Sequence, residues 1–425
     1  MFRGKKAHDW DLATNAVPEE VTDIFRNAQP GAKVFPTGIK HGTVTVLYRN
    51  ISMEITTYRT ETGYADGRRP DNVLYAASIE DDLSRRDFTM NAIALRLPQG
   101  EKIDPYGGEA DLTKRIIRCV GNPRERFAED GLRPLRAVRF AAQLSYEVEE
   151  ETLAAIPLVL ETCAKVSAER VKDELEKIVT SEKPSRAFLL MERTGLLQLF
   201  LPELAACRGI DQKGFHRFDV LEHTLLACDY AASRQYPQEV RIAALLHDTG
   251  KVSTRRLGEN GVWTFYQHEA RSEKIARNIL GRLRFPNVIV DSVCHLVKEH
   301  MFHYTDEWSD AAVRRFIIRV GRDNLEKVYQ LRMADAYATA AREPGTDFLL
   351  SLIRRVEKIL AESSAFTLKD LAVNGNDLLA IGIKSGKTLG IILNELLETV
   401  LDDPAQNNRE DLLRIAINLC DKLCD

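Results

Sequence analysis

Apolar positions change period once along the chain. From residue 32 to about residue 120, short runs rich in β-branched side chains (KVFPTG, GTVTVLYR, SMEITTYR, NAIALRL, IIRCVG) are punctuated by glycine and proline, the pattern of a small mixed sheet. Two helices are predicted to flank it, over Pro18–Ala28 and Ser84–Ala94. Beyond Pro123 apolar residues recur every three or four positions nearly to the end, as in ERVKDELEKIV, RAFLLMERTGLLQLF, RIAALLHDTG and DLLRIAINLC. Gly214 and Pro237 interrupt this stretch, and loops are expected at Arg256–Gly261 and Arg342–Thr346. The expected fold class is α+β: a small α/β head followed by an elongated all-α body.

Composition narrows the function only a little. A chain of 425 residues has room for two to four domains, and 44% hydrophobic with 29% charged residues is ordinary for a globular protein. A net charge of -4 excludes an overall basic nucleic-acid binder but leaves room for a local basic groove. No apolar stretch is long enough to span a bilayer, and the start, FRGKKAHDWD, is polar, so a cytoplasmic protein with no membrane partner is expected. The seven cysteines are scattered without a CxxC pair, which reads as buried thiols in a reducing compartment.

The first candidate chemistry lies in HDWDLAT. On a strand, residues i and i+2 face the same way, so Asp9 and Asp11 could together hold divalent cations that bridge triphosphate oxygens. Glu54, on another predicted strand, is a candidate third carboxylate. A DxD pair alone has little specificity. Its neighbours carry more: PTGIKHGTVTV, TYRTETGYADGRRPDNV, EDDLSRRDFTMNAIA, DPYGGEADL and RFAEDGLRPLRAVRF follow in order. Together they resemble the bacterial-type tRNA nucleotidyltransferases (CCA-adding enzymes) and the related poly(A) polymerases. SAERVKDELEKI, GLLQLFLPEL and the segment from Leu371 to Val400 extend the resemblance to the end of the chain.

That resemblance implies a template-independent transferase that uses CTP, ATP and Mg²⁺ to add C and A to the 3′ end of tRNA. It makes Asp9 and Asp11 the metal-binding catalytic carboxylates. Arg86, Asp87 and Asn91 match the segment that holds sugar and phosphates, and Glu129, Asp130 and Arg133 match the amino-acid template for the base. Cytosine and adenine both set an exocyclic amine beside a ring-nitrogen acceptor, which suits a carboxylate and a guanidinium. Uracil and guanine reverse the pattern and would leave both groups facing like partners. Arg133, Arg136 and Arg139 recur every three residues, a stripe that the resemblance aims at the nucleotide, although Pro134 should delay or kink their helix.

The family's head opens with a strand, a paired-glycine turn and a helix bearing an Arg-Asp pair. Only eight residues precede Asp9, so the head is expected to be truncated at its N-terminus. The segment between Glu54 and Arg85, with DGRRPD, resembles a loop of enzymes that complete the terminal A, which favours CCA addition over A-only addition or poly(A) synthesis.

A second constellation follows from the histidines, seven of nine of which lie between His216 and His303. His223, His247, Asp248 and Asp335 resemble the ligand series of HD-domain phosphohydrolases, and His268 and His300 resemble the extra ligands of two-metal members. The resemblance implies a divalent transition metal (Mn, Ni, Co, Fe or Zn), with Lys251 near a phosphate; His295 and His303 fit no ligand position. The bland alternative is a buried His-Asp pair that ties helices together. GIKSGKT is one residue too short between its glycines for a P-loop. The division expected is a nucleotidyltransferase head over 1–120, a nucleotide-binding neck over 121–205, an HD-type phosphohydrolase unit over 206–340 and a tRNA-binding tail over 341–425. The rival reading makes the HD-type site the only active one, beside an inert head.

Overall fold

The structure, a computed structural model, describes residues 11–29, 31–39, 42–62, 72–212, 217–259, 261–362 and 367–424. Asp9, His216 and the DGRRPD segment therefore lie outside the described residues. Strand β1 (Asp11–Thr14) leads into α1 (Pro18–Ala28), whose bounds match the periodicity because Pro18 occupies the first turn, where no N–H is needed. β2 (Lys33–Gly38), β3 (Thr43–Tyr48) and β4 (Ile51–Thr57) form an antiparallel meander, and β1 adds to β4 in parallel, giving the order β1-β4-β3-β2. Val44, Val46 and Ile55 pack with Val21 of α1 as the core of this sheet.

β5 (Arg59–Thr62) and β6 (Asn72–Tyr75) make a separate antiparallel ribbon. Helix α2 (Ile79–Ser84) ends where the predicted helix Ser84–Ala94 should begin. Asp87 is the reason. Its carboxylate accepts the Phe88 amide at 2.9 Å and the Asn91 side-chain amide at 3.0 Å, a local alternative to helical bonding that leaves only a 3₁₀ turn at Thr89–Asn91. The hairpin β7 (Ala94–Arg96) and β8 (Glu101–Ile103) follows, then α3 (Gly108–Lys114) and β9 (Ile116–Ile117). Asp104 caps α3 by accepting the Gly108 and Glu109 amides. A Cβ on Gly108 would meet the Thr89 carbonyl oxygen at 2.1 Å, so DPYGGEADL is the buttress of the turn that presents Asn91.

The body is helical. α4 (Pro123–Glu129) and α5 (Arg133–Leu144) follow the head, and Pro134 sits in the first turn of α5 and starts it without a kink inside. β10 (Glu147–Val148) pairs with β9, and α6 (Glu150–Ala155), α7 (Leu160–Cys163), α8 (Ala168–Val179), α9 (Ser185–Thr194), α10 (Leu196–Phe200) and α11 (Pro202–Ala205) complete the neck. Next come α12 (Val220–Ser233), α13 (Gln238–Leu246), α14 (Lys251–Thr254), a short hairpin of β11 (Arg256–Leu257) with β12 (Trp263–Thr264), α15 (His268–Arg282) and α16 (Asn287–Glu299). α17 (Asp310–Val320), α18 (Leu325–Ala340) and α19 (Asp347–Glu362) close this region, and α20 (Gly375–Ala380), α21 (Lys387–Asp402) and α22 (Arg409–Cys424) form the tail.

One continuous core runs from Phe88 to Ile359, so the neck and the histidine-rich region share a single apolar interior. The tail has its own core around Leu378, Ile392, Leu396 and Leu412, and Arg314 of α17 reaches it by donating to the Leu401 carbonyl at 2.6 Å. Cys119, Cys163, Cys207, Cys228 and Cys294 are buried thiols, and burial pushes Cys119 and Cys163 up to about 12. Among the described residues no helix is long and apolar enough to cross a membrane.

Candidate active site and a second polar cluster

Asp11 and Glu54 stand side by side in the parallel register of β1 and β4, both exposed on the sheet. A cleft of about 500 Å³ joins Asp11 to Arg86 and Asn91 of the head and to Asp130, Arg133, Arg136 and Arg170 of the body. A further space of about 510 Å³ continues from Asp11, Arg86 and Asn91 along Thr14 and Tyr58. Carboxylate oxygens and guanidinium groups gathered in one cleft suit a ligand that carries phosphates and a divalent cation.

Each of these groups is braced. Asp82, 1% exposed, accepts from both Arg85 (2.8 Å) and Arg86 (3.3 Å) and so points Arg86. Asp87 also accepts Arg136 Nε at 2.7 Å. Burial alone would raise the Asp87 pKa, but the Arg136 cation and the hydrogen bonds from Asn91 and the Phe88 amide outweigh it and hold the carboxyl low. Asp87 thus braces Asn91 and Arg136, and all three line the cleft.

Glu129 accepts from Arg126 and Arg133 and does not line the cleft. Arg133 also donates to the carbonyls of Arg126 (2.8 Å) and Arg85 (3.2 Å), and Asp130 accepts the Leu132 amide at 3.0 Å and Arg170 Nη2 at 2.7 Å. Arg139 does not line the cleft. It pairs with buried Glu174, donates to Gln143 at 2.6 Å and lies 3.8 Å over the Phe140 ring.

The second cluster gathers all six candidate ligands in the interior. His223, His247, Asp248 and His300 are at most 1% exposed, His268 6% and Asp335 8%. His223 Nε2 lies 3.2 Å from His247 Nε2, 3.1 Å from Asp335 and 3.4 Å from Asp248; His268 Nε2 lies 3.3 Å from Asp248 Oδ1, and His300 Nε2 4.0 Å. The Nδ1 atoms of His247, His268 and His300 sit 2.7–2.9 Å from the carbonyls of Ala244, Phe265 and Val297. Those contacts fix the rings so that each Nε2 points to the centre. Asp248 Oδ1 and His268 Nε2 are buried without a hydrogen bond.

Burial alone would depress His247, but Asp248 and Asp335 push it up to about 10, while burial and the His247 charge bring His300 down to about 3. Lys251 is held by Asp248 and Gln212, both at 2.6 Å. His295 Nε2 donates to the Val320 carbonyl at 2.7 Å and His303 is exposed, so neither joins the cluster.

Sequence reasoning did not single out Asp82, Arg170, Gln212 or Arg332, which contacts Asp335 at 2.6 Å. For Asp82 the signal was available: an acidic residue one helical turn before an Arg pair on an otherwise apolar face.

Residues 1–118 match the poly A polymerase head domain, residues 145–208 the RNA and SrmB-binding site of polymerase A, and residues 258–416 the tRNA nucleotidyltransferase domain 2. The CCA-adding enzyme of Levilactobacillus brevis is 33% identical over 96% of this chain and 89% of its own length. That of Enterococcus faecalis is 32% identical over 97% of this chain and 88% of its own. Among solved structures, the Bacillus stearothermophilus CCA-adding enzyme in complex with CTP superposes with a TM-score of 0.69 at 29% identity, covering 99% of this chain and 91% of that one. The braced cleft, the order of its motifs and near full-length identity to these relatives lead to one conclusion: the chain belongs to the CCA-adding enzyme family of tRNA nucleotidyltransferases.

Proposed function

We propose that this chain adds C and A to the 3′ end of tRNA, taking CTP and ATP without a nucleic-acid template. The observation that carries it is the single cleft that Asp11 and Asn91 of the head share with Asp130, Arg133 and Arg136 of the body. The terminal ribose hydroxyl of the tRNA attacks the α-phosphate and the bond to pyrophosphate breaks. Asp11 and Glu54, with Asp9 beyond the described residues, offer hard oxygen donors of the kind Mg²⁺ prefers, and the ion would neutralise charge on the phosphates. Arg86 and Arg136 hold the triphosphate, and Asn91, fixed by Asp87, meets the sugar.

Asp130 accepts from the exocyclic amine of C or A and Arg133 donates to the ring nitrogen, so uracil and guanine lose both bonds. The helical body holds tRNA by shape and backbone contacts. On this reading the protein works in the cytoplasm, where its tRNA and nucleotides are. The test is incorporation of labelled CTP and ATP, with Mg²⁺, into transcripts ending before CCA, after C and after CC. Extension of all three supports CCA addition. Extension of the last alone means A-only addition, long A tails mean poly(A) synthesis, and no incorporation overturns the reading.

A second reading concerns the histidine cluster, which resembles HD-type sites: a divalent transition metal (Mn, Ni, Co, Fe or Zn) held by His223, His247, Asp248, His268, His300 and Asp335, with phosphohydrolase activity. Its support is the convergence of Nε2 atoms on Asp248, with Asp248 Oδ1 and His268 Nε2 lacking hydrogen bonds. Metal content and phosphodiesterase activity of the protein and of Asp248→Ala would test it. A purified protein that takes up no Mn²⁺ or Ni²⁺ would leave the cluster as a buried brace.

A further inference from the structure

Between Asp248 and His268 the chain leaves the helical body for one short hairpin. Its strands β11 and β12 set Arg256 opposite Thr264 and Leu257 opposite Trp263, and the Gly258 amide donates to the Val262 carbonyl at 2.8 Å to close the turn. A hairpin that sealed the core would point its apolar residues inward. This one does not: Leu257 is 60% exposed, and Tyr266, just after β12, is 81% exposed. Side chains alternate along a strand, so Arg255, Leu257 and Trp263 share one face and Arg256 takes the other. The Arg255 guanidinium lies 3.8 Å over the Trp263 ring and its Nε is buried without a hydrogen bond, which makes the contact a cation stacked on an indole. Helix α15 adds Arg271, which donates to Ser253 Oγ at 3.2 Å at the root of the hairpin, and Lys274 follows on the next turn. Among the described residues, none of Arg255, Arg256, Arg271 and Lys274 pairs with a carboxylate. The acidic groups nearby are Glu259 close to the tip, Glu269 beside His268, and Glu273, which Arg277 holds at 3.0 Å. The patch is therefore basic in a chain whose net charge is -4.

We propose that this hairpin and the adjoining face of α15 bind single-stranded RNA, at a surface apart from the cleft in which transfer takes place. The exposed Tyr266 ring offers a platform for an unstacked base, the Arg255–Trp263 stack offers a second, and the unpaired cations meet the phosphates. A duplex can use the cations but not the rings, because its bases are already stacked on one another. RNA is the polyanion that fits a chain whose family works on RNA. The patch also borders the histidine cluster. His268 opens α15 just after Tyr266 and Gln267, and Lys251 lies between Asp248 (2.6 Å) and the Phe265 ring (5.8 Å). A strand stacked on Tyr266 thus runs beside that cluster, although binding itself needs neither a metal there nor the transfer reaction.

The probe is a labelled oligouridylate of about 12 nucleotides, read by fluorescence anisotropy without Mg²⁺ or nucleotide, with an RNA duplex of the same length and phosphatidylglycerol vesicles as comparisons. It is titrated with the full chain and its Tyr266→Ala, Tyr266→Phe, Arg255→Ala and Arg256→Ala variants. Tyr266→Ala and Arg255→Ala should each raise Kd roughly tenfold, while Tyr266→Phe, which keeps the ring, should leave it unchanged. Arg256→Ala should reduce the slope of log affinity against log salt by about 0.7, the share of one single-strand phosphate. Tyr266 and Arg256 are exposed, so Tm should hold in their variants, and these carry the comparison should Arg255→Ala fail to fold. In the same proteins kcat and KM for C and A addition to tRNA should stay as they are. Equal affinity for the duplex or the vesicles overturns the proposal, and so does an unchanged Kd in both Tyr266→Ala and Arg256→Ala. A KM for tRNA that rises in step with the oligonucleotide Kd overturns it as well, since the hairpin would then belong to the docking of tRNA for transfer.

Discussion

Arg136, on the second helix of the body, reaches back into the head and donates to the Asp87 carboxylate at 2.7 Å. The same carboxylate holds the Phe88 amide and the Asn91 side chain, so one anion couples the helix that lines the base side of the cleft to the turn that lines its sugar side. Burial opposes that anion and Arg136 sustains it, leaving the folded pKa below the ordinary 3.8. Its contribution to stability is therefore complete above the unfolded value and is lost as pH falls through the lower folded one. Below about pH 4 the Tm of the protein should fall more steeply with falling pH than that of Asp87→Asn, which has no such charge to lose. Parallel acid limbs for the two proteins would show that the pair contributes nothing in this range.

Glu54 should matter to transfer as Asp11 does. The two carboxylates are neighbours in parallel register, and replacing one by an amide removes a charge without changing the strand. Glu54→Gln should lower kcat on the order of 10²-fold, with little change in Tm and a higher Mg²⁺ requirement. A variant with full kcat at low Mg²⁺ would remove Glu54 from the cation site and leave Asp11 with its outlying neighbour.

Arg139 should prove structural. Its partner Glu174 is 2% exposed, with Lys177 at 3.2 Å as its other cation. Arg139→Met leaves a buried carboxylate short of its main partner, a change that costs about 3–5 kcal/mol for buried pairs. Thermal melts should show that loss, the double variant Arg139→Met/Glu174→Leu should recover much of it, and KM for CTP and ATP should move little in either. A large KM increase with an unchanged melt would return Arg139 to the nucleotide.

These residues show what periodicity can and cannot say. Three residues advance a helix about 300°, so each step of the Arg133, Arg136, Arg139 series falls about 60° short of a turn, and Arg139 ends about 120° round from Arg133. A repeat of three thus reads as a stripe over two members and leaves it at the third. Pro18–Ala28 was legible because a proline start and an amphipathic face agree. Ser84–Ala94 was not, because the Asp87 side chain competes with the backbone, and no count of apolar positions reports that bond. The histidine ligands could be named by type, but His223 and Asp335 meet across 112 positions, a closeness that only the packing of α12 against α18 creates. Arg170 was missed because it acts on Asp130, far away along the chain, and a linear sequence does not print such a pair, whereas Asp82 acts on Arg85 and Arg86 one helical turn away and could have been read.

The last prediction concerns the glycine inside HDTGK. Gly250 packs against α15 so closely that a Cβ there would meet the His268 carbonyl oxygen at 2.4 Å and the Ser272 amide nitrogen at 2.6 Å, both backbone atoms. Its own N–H donates to Ser272 Oγ at 2.8 Å. Gly250→Ala must therefore move the start of α15 outward, and His268 is the first residue of that helix. Overpacking of this kind costs about 1–3 kcal/mol, small enough for the chain to stay folded. The consequence for the cluster is larger, because His268 Nε2 would leave Asp248 Oδ1, now 3.3 Å away. Uptake of Mn²⁺ or Ni²⁺, measured on the purified variant, should fall, while C and A addition should persist, since the transfer cleft is built from other elements. Full metal uptake with a shifted melt would mean that His268 is no ligand and that the close approach of Gly250 serves only to seat α15.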